Sequence, residues 1–263
     1  MIDIHSHILP EIDDGARSMD EAVKMAALAF ADGIEQMVCT PHLFNGISKD
    51  PGPAEIEDRV GALQHAIGPG GLKVLPGSEV RMTASLFKHV QAELLTTLNR
   101  KTYMLVELPT PSVPRRAREW FRKLKRQGVN PILVHPERNR VIQRSPGMVA
   151  DFISDGVLIQ VTAMSVAGQF GFEAKTCVDK LLRHNCVHFL ASDTHRPEKR
   201  PPVLSRGRES AAAIIGKEAA RILVEDNPLA VVNGLPIVPH PIIPFPRRSG
   251  MSRLPLLGRL FQL

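Results

Sequence analysis

The chain has 263 residues, 43% hydrophobic, 23% charged and 5% aromatic, which excludes a disordered or fibrous protein and allows one large domain. Its net charge of +6 is local: 115–126 (RRAREWFRKLKR) holds seven bases against Glu119, 237–263 holds Arg247, Arg248, Arg253 and Arg259 with no acid, and the remainder is mildly acidic. No nucleic-acid partner is expected of such a body, and no apolar run approaches the roughly 18 residues of a membrane span.

Three cysteines (Cys39, Cys177, Cys186) make no disulfide framework and suit a reducing cytoplasm. The opening MIDIHSHILP has no basic region before an apolar run, so no secretory signal is expected. The first predicted strand, 2–5, leads into His5 and His7, whose spacing turns both imidazoles to one face. Asp13-Asp14-Gly15 follows, with carboxylates able to turn back toward the same place. Ser18 and Glu21 form a capping-box pattern before a helix over 21–32, with Gly33 as its stop. A strand at 35–40 closes on His42, and LFNGISKDPGP beyond it reads as a substrate rim. A helix at 54–67, a strand at 73–76 leading to Glu79, a helix at 84–95 and a strand at 103–107 ending on Glu107 follow.

The helix predicted over 115–127 has Trp120, Phe121 and Leu124 on its buried side and bases on a solvated face, with an acidic partner or RNA as the alternative use of that charge. A strand at 131–134 delivers His135, in HPER. A helix at 147–154, a strand at 158–161 and a helix at 174–185 precede the last strand, 188–191, which leads to Asp193 and His195. A looser helix covers 205–224. After Gly234, Pro236, Pro239, Pro241, Pro244, Pro246 and Pro255 interrupt any regular element. The chain therefore divides into a domain at 1–236 and a Pro-rich basic extension at 237–263, surface-hugging or mobile. Its RLPLLGRLFQL end suits an anionic membrane or a partner protein, with disorder as the alternative. Seven strands alternating with helices imply a parallel sheet, open or closed.

Six of the seven strands deliver a ligand-type side chain at the end where parallel α/β proteins assemble their sites. Singly, each has an ordinary explanation as a cap or a satisfied core group; together they do not. The nine candidates, His5, His7, Asp14, His42, Glu79, Glu107, His135, Asp193 and His195, exceed the needs of one zinc-type ion and fit two or three ions sharing carboxylates. Nitrogen and oxygen donors without thiolate suit Mn, Fe or Zn. Such a cluster holds a bridging hydroxide and clamps both oxygens of an in-line phosphoryl displacement. Cys177 and Arg183 match the C-x5-R spacing of cysteine phosphatases, but VDKLL between them is amphipathic helix without the glycines of a phosphate loop. His65, His89, His184, His188 and His240 read as structural or solvated.

These pieces (MIDIHSHILPEIDDG, CTPH, PGSEV, LVEL, LVHPER, and LASDTH followed by RPP) resemble the polymerase and histidinol phosphatase (PHP) superfamily, and within it the bacterial metal-dependent tyrosine phosphatases of capsule and exopolysaccharide loci. The resemblance implies a distorted seven-stranded (β/α)7 TIM-like barrel, a trinuclear centre usually assayed with Mn²⁺, and ligand roles for the nine residues, with Asp14 rather than Asp13 facing the metal. It also implies phosphate-binding roles for Arg138 and Arg200, with Arg196 as the alternative to Arg200, beside catalytic Asp193 and His195. The implied substrate is a phosphotyrosine protein, a polysaccharide-assembly tyrosine kinase. Histidinol phosphate, another small phosphomonoester or a phosphodiester is the alternative within the same chemistry. A non-catalytic kinase-binding scaffold is the third reading, and its expected feature, loss of ligands, is missing.

Overall fold

The computed structural model describes residues 1–46 and 50–246. Nine strands lie in these residues: β1 (Ile2–Ser6), β2 (Gln36–Cys39), β3 (His42–Leu43), β4 (Lys73–Pro76), β5 (Glu79–Arg81), β6 (Tyr103–Glu107), β7 (Asn130–Val134), β8 (Leu158–Thr162) and β9 (Phe189–Ala191). They form two wholly parallel sheets, β1-β2-β4 and β3-β5-β6-β7-β8-β9. The seven expected strands are present, and β3 and β5 are additional.

Both additions arise where the chain passes from the small sheet to the large one. β2 pairs with β4, whereas β3 pairs with β5 in the register His42↔Glu79. Pro41, lacking an N–H, interrupts the first passage, and Gly77 allows the second: a Cβ there would meet Val38 Cγ1 at 2.6 Å. On the far side, Asp193 N–H donates to the His5 carbonyl and His7 N–H to the Thr194 carbonyl, both at 2.9 Å, tying β1 to the segment after β9.

Side-chain alternation divides the core. Tyr103, Leu105, Ile132, Val134 and Leu158 pack with Ile2, Ile4, Val38 and Leu75 of the other sheet. Their neighbours Met104, Val106, Leu133, Ile159 and Val161 pack instead with helix residues such as Phe121, Leu124 and Phe152.

The helices are α1 (Met19–Ala31), α2 (Pro53–Ile67), α3 (Leu86–Gln91), α4 (Ala117–Arg126), α5 (Arg140–Arg144), α6 (Met148–Ser154), α7 (Ala163–Val166), α8 (Phe172–Arg183), α9 (Ser205–Ile215), α10 (Lys217–Ile222) and α11 (Asp226–Asn233). Ser18 caps α1 as expected, accepting the Glu21 N–H at 3.2 Å, but Glu21 reaches past the box to the Arg17 N–H and guanidinium. The helix expected over 84–95 shrinks to α3 because Glu93 adopts a left-handed φ of 54° and Leu94 N–H folds back to the His89 carbonyl. The one expected over 205–224 breaks at Gly216, whose φ is +86°. Helices α5, α7 and α11 were not anticipated; α5 and α7 are too short for a readable period. The basic face of α4 is solvated, and Arg118 and Arg122 pair with Asp155. Trp120 is half-buried, while Phe121 and Leu124 are buried.

Residues 237–246 lie along the end of α8: Ile243 exchanges hydrogen bonds with His184, and Phe245 stacks on the His184 ring at 3.9 Å. All four arginines of the extension (Arg247, Arg248, Arg253, Arg259) and its leucine-rich end lie outside the described residues. No helix among the described residues is long and apolar enough to cross a membrane.

Candidate metal centre

The strand ends converge. Donor atoms of His7, Asp14, His42 and His195 lie within 4.8 Å of one another, as do those of three further groups: His5, His7 and Asp193; His5, Glu79 and His135; His42, Glu79 and Glu107. All nine sequence-predicted ligand candidates are therefore brought together, with His5, His7, His42 and Glu79 each shared between two groups.

Backbone geometry aims several of them. His135 and Asp193 hold left-handed φ values of 34° and 51° at the ends of β7 and β9, conformations that cost non-glycine residues energy and cluster at functional sites. The Asp13-Asp14-Gly15 turn folds so tightly onto His7 that a Cβ on Gly15 would meet the His7 carbonyl oxygen at 1.9 Å.

Hydrogen bonds fix the imidazoles. His5 Nδ1–H donates to Gln160 Oε1 at 2.9 Å and His7 Nδ1–H to Asp13 Oδ2 at 2.7 Å. In their neutral forms both rings then present bare Nε2 lone pairs, and these face each other at 3.3 Å. Glu79 Oε2, buried and 2.8 Å from His42 Nδ1, lies 3.4 Å from each Nε2, while Asp193 Oδ1 lies 3.5 and 3.4 Å away. Two lone pairs and two carboxylate oxygens packed this way repel one another unless positive charge sits between them. Asp14 Oδ1 faces His42 Nε2 at 3.5 Å and His195 Nε2 at 3.4 Å.

The titration tendencies say the same. Burial opposes ionisation of Glu79 and Asp193, yet neighbouring cationic groups hold both well below the ordinary carboxylate range. Burial likewise opposes charge on His5 and His7, but the carboxylates around them push both upward. His195 differs: burial, aided by His7, lowers it to about 4, which leaves its imidazole neutral near pH 7. The donor set suits a hard or borderline divalent metal.

Arg138 Nη1 donates to Asp193 Oδ2 at 2.6 Å, and Arg200 pairs with the same oxygen. Both guanidinium groups also approach the Phe170 ring, with Cζ to centroid distances of 4.9 and 5.7 Å. Arg196 instead exchanges backbone hydrogen bonds with Arg200, and its side chain makes no hydrogen bond or ion pair among the described residues.

Sequence reasoning missed four residues around this centre. Gln160 orients His5, Phe170 lies beside both arginines, Arg81 pairs with Glu107 at 2.5 Å, and buried Glu137 accepts the Thr162 N–H at 3.0 Å. Gln160 was the most accessible of these, as a polar residue inside an apolar strand. Nothing local marks Phe170. Cys177 is buried in α8, its thiol pushed up to about 12 by burial and by Glu137, so it offers no thiolate nucleophile. In the expected substrate rim, Phe44 stacks on His89 at 3.8 Å, and 47–49 lie outside the described residues.

Comparison with known proteins gives a concordant result. Residues 1–233 match the family model of capsular polysaccharide synthesis, CpsB/CapC. The chain is 37% identical over 202 residues to the tyrosine-protein phosphatase YwqE of Bacillus subtilis, covering 76% of this chain and 79% of that protein. It is 26% identical over 239 residues to the tyrosine-protein phosphatase CpsB of Streptococcus pneumoniae, covering 88% and 98%. A solved structure from the work on YwqE and CpsB, described as metal-dependent tyrosine phosphatases, superposes with a TM-score of 0.89 at 33% identity, covering 94% of this chain and 100% of that one. The phosphotriesterase homology protein of Escherichia coli, at 10% identity and a TM-score of 0.55 over 86% of this chain and 96% of its own, shares the fold alone.

Proposed function

The chain belongs to the CpsB/CapC family of capsular polysaccharide synthesis, and from that premise we propose that it is a metal-dependent tyrosine-protein phosphatase whose substrate is the phosphotyrosine of a polysaccharide-assembly kinase in the cytoplasm. One observation carries the chemistry: nine nitrogen and oxygen donors converge around the opposed Nε2 atoms of His5 and His7 and the buried Glu79 Oε2. We read the two sheets as a distorted seven-stranded barrel, β2 with β3 and β4 with β5 each counting as one interrupted strand. The catalytic unit is 1–236 and the extension 237–263.

His5, His7, Asp14, His42, Glu79, Glu107, His135, Asp193 and His195 would hold two or three divalent ions, manganese in preference to iron or zinc. When bound, the ions supply Lewis-acid charge and activate water for an in-line displacement at phosphorus. The protein's own contribution is positioning. Asp13 and Gln160 fix the His7 and His5 tautomers, and the neutral His195 keeps a free lone pair. Arg138 and Arg200 present guanidinium forks to the non-bridging phosphate oxygens, where charge shifts during the displacement. A phenolic leaving group, with a pKa near 10, departs with less protonation than an alkoxide needs.

The test is turnover of a phosphotyrosine peptide beside histidinol phosphate and a phosphodiester, before and after chelation and with Mn²⁺ restored. Activity on the phosphotyrosine peptide should vanish with chelation and return with the metal. Full activity in demetallated protein would refute the metal chemistry, and preference for either of the other substrates would refute the substrate.

A further inference from the structure

Beside the Phe170 ring that the two arginines approach lies an open cleft of about 570 Å³ that holds none of the donor residues of the centre. Phe170 joins the two places: its ring lies beside Arg138 and Arg200 and also lines the cleft. Gly168 and Gly171, with φ values of +82° and +91°, permit the tight loop that carries Phe170 to the arginines. Arg140 and Arg144 line one wall, Phe172 and Glu173 the other.

Three features of this cleft are not required by the fold. Arg140 and Arg144 stand four residues apart on α5, a spacing at which like charges repel. Neither side chain has a hydrogen bond or ion pair among the described residues. Phe172 is 78% exposed at the start of α8 and, with Phe170, gives the cleft an aromatic face. Glu173 offsets one arginine, so these charges leave the cleft with an excess of one positive charge.

Resting on the phosphotyrosine reading, we infer that this cleft binds the polypeptide flanking the phosphotyrosine and favours a flank with an acidic residue for Arg140 and Arg144 and an apolar or aromatic one for Phe172. Phe170 is the corner between the two subsites: the phosphate goes to Arg138 and Arg200 on one side, and the chain runs along α5 and α8 on the other. An aryl phosphate without a peptide fills only the first. The flank contacts are equally available before and during the displacement, so they act on KM and leave kcat nearly constant.

The experiment uses the full chain loaded with Mn²⁺ and three substrates: p-nitrophenyl phosphate, a phosphotyrosine peptide with Asp and Phe beside the phosphotyrosine, and the same peptide with Lys in place of Asp. The same two peptides carrying a non-hydrolysable phosphonomethyl-phenylalanine report binding by fluorescence anisotropy. Wild type should prefer the acidic peptide by roughly three- to tenfold, through KM and through the anisotropy Kd alike, as two exposed charge pairs allow. The double variant R140E/R144E should abolish or invert that preference while p-nitrophenyl phosphate turnover stays constant. R140Q/R144Q, which leaves Glu173 as the cleft's charge, should remove the preference for the acidic peptide and invert it less than R140E/R144E does, and Phe172→Ser should weaken both peptides together. Equal affinity of wild type for the two peptides, or a preference that survives R140E/R144E, would overturn the cleft assignment alone. A parallel loss of p-nitrophenyl phosphate turnover would also overturn it, since the arginines would then serve the centre or the fold. No turnover of any phosphotyrosine substrate by wild type would overturn the phosphatase reading and the cleft with it.

Discussion

Asp13 and Asp14 are adjacent in sequence and opposite in expected effect. Asp13 touches no open donor position. Its Oδ2 accepts His7 Nδ1–H at 2.7 Å and the His42 N–H at 3.1 Å, and its Oδ1 accepts the Gly15 N–H at 2.9 Å. Burial opposes its charge, but His7 outweighs burial and holds it below the ordinary aspartate value. Asp13→Asn keeps the shape and removes the charge. The amide has one acceptor oxygen for three donors. With that oxygen on His7 and His42, its NH2 must face the Gly15 N–H, and an unmatched donor there costs about 1–3 kcal/mol. A neutral acceptor also holds the His7 N–H less strongly than a carboxylate does. Losing such an outer partner weakens metal affinity roughly 10- to 100-fold, about 1.4–2.8 kcal/mol. The variant should therefore unfold at lower urea and need 10- to 100-fold more Mn²⁺, yet recover most of its turnover when saturated. Asp14→Ala, which removes a donor facing His42 and His195, should lose metal that excess Mn²⁺ does not fully restore. The assay is initial rate on a phosphotyrosine peptide against free Mn²⁺, with bound metal measured on the same samples. Wild-type metal dependence in Asp13→Asn, or a larger irreversible loss there than in Asp14→Ala, would refute the assignment.

Arg138→Ala and Arg200→Ala should retain metal and fold but each lose roughly 10²–10³ in kcat/KM, as removal of one transition-state donor does; steady-state kinetics with metal analysis would show the opposite if either arginine mainly supports the centre. Glu79→Ala should lose both bound metal and rate, because Glu79 belongs to two of the donor groups; full occupancy would remove it from the site. Cys177→Ser should turn over at nearly the wild-type rate, since a thiol pushed up to about 12 is not ionised near neutrality; a loss of several orders of magnitude in folded protein would reinstate the cysteine. His188 gives a pH signature away from the centre: burial lowers it from 6.5 to about 4, and its Nδ1 accepts the Ile159 N–H. The unfolded chain then binds more protons between those values, so this residue's contribution is complete above pH 6.5 and is lost as pH falls toward 4. Urea unfolding at pH 7 and pH 5 should cost wild type about 2 kcal/mol more over that interval than His188→Asn; equal pH dependence would contradict it.

By itself the sequence carried the succession of strands and helices along the chain, the parallel class and the candidate donors, because each is written locally. An apolar run bounded by turns is a strand wherever it lies, and a ligand-type residue at its C-terminal end goes to the face where parallel α/β sites form. His5 with His7, His42, Glu79, Glu107, His135, Asp193 and His195 were legible for that reason. Tertiary structure decided what depends on partners distant in sequence. The family resemblance implied Asp14 rather than Asp13, and the three-dimensional contacts give the physical reason: Asp13 is held by His7 and Gly15, whereas Asp14, one residue away, faces His195. They also pair Gln160 with His5 across 155 positions and bring Phe170 to Arg138 and Arg200. The transfer of β3 and β5 into the second sheet turns on close approach at Gly77 and the missing N–H of Pro41, and the early ends of α3 and α9 turn on single residues, Glu93 and Gly216. Periodicity averages over several residues, whereas a close contact, a left-handed φ or a hydrogen-bond partner is fixed by one atom meeting another, and the chain brings those atoms together only when it is folded.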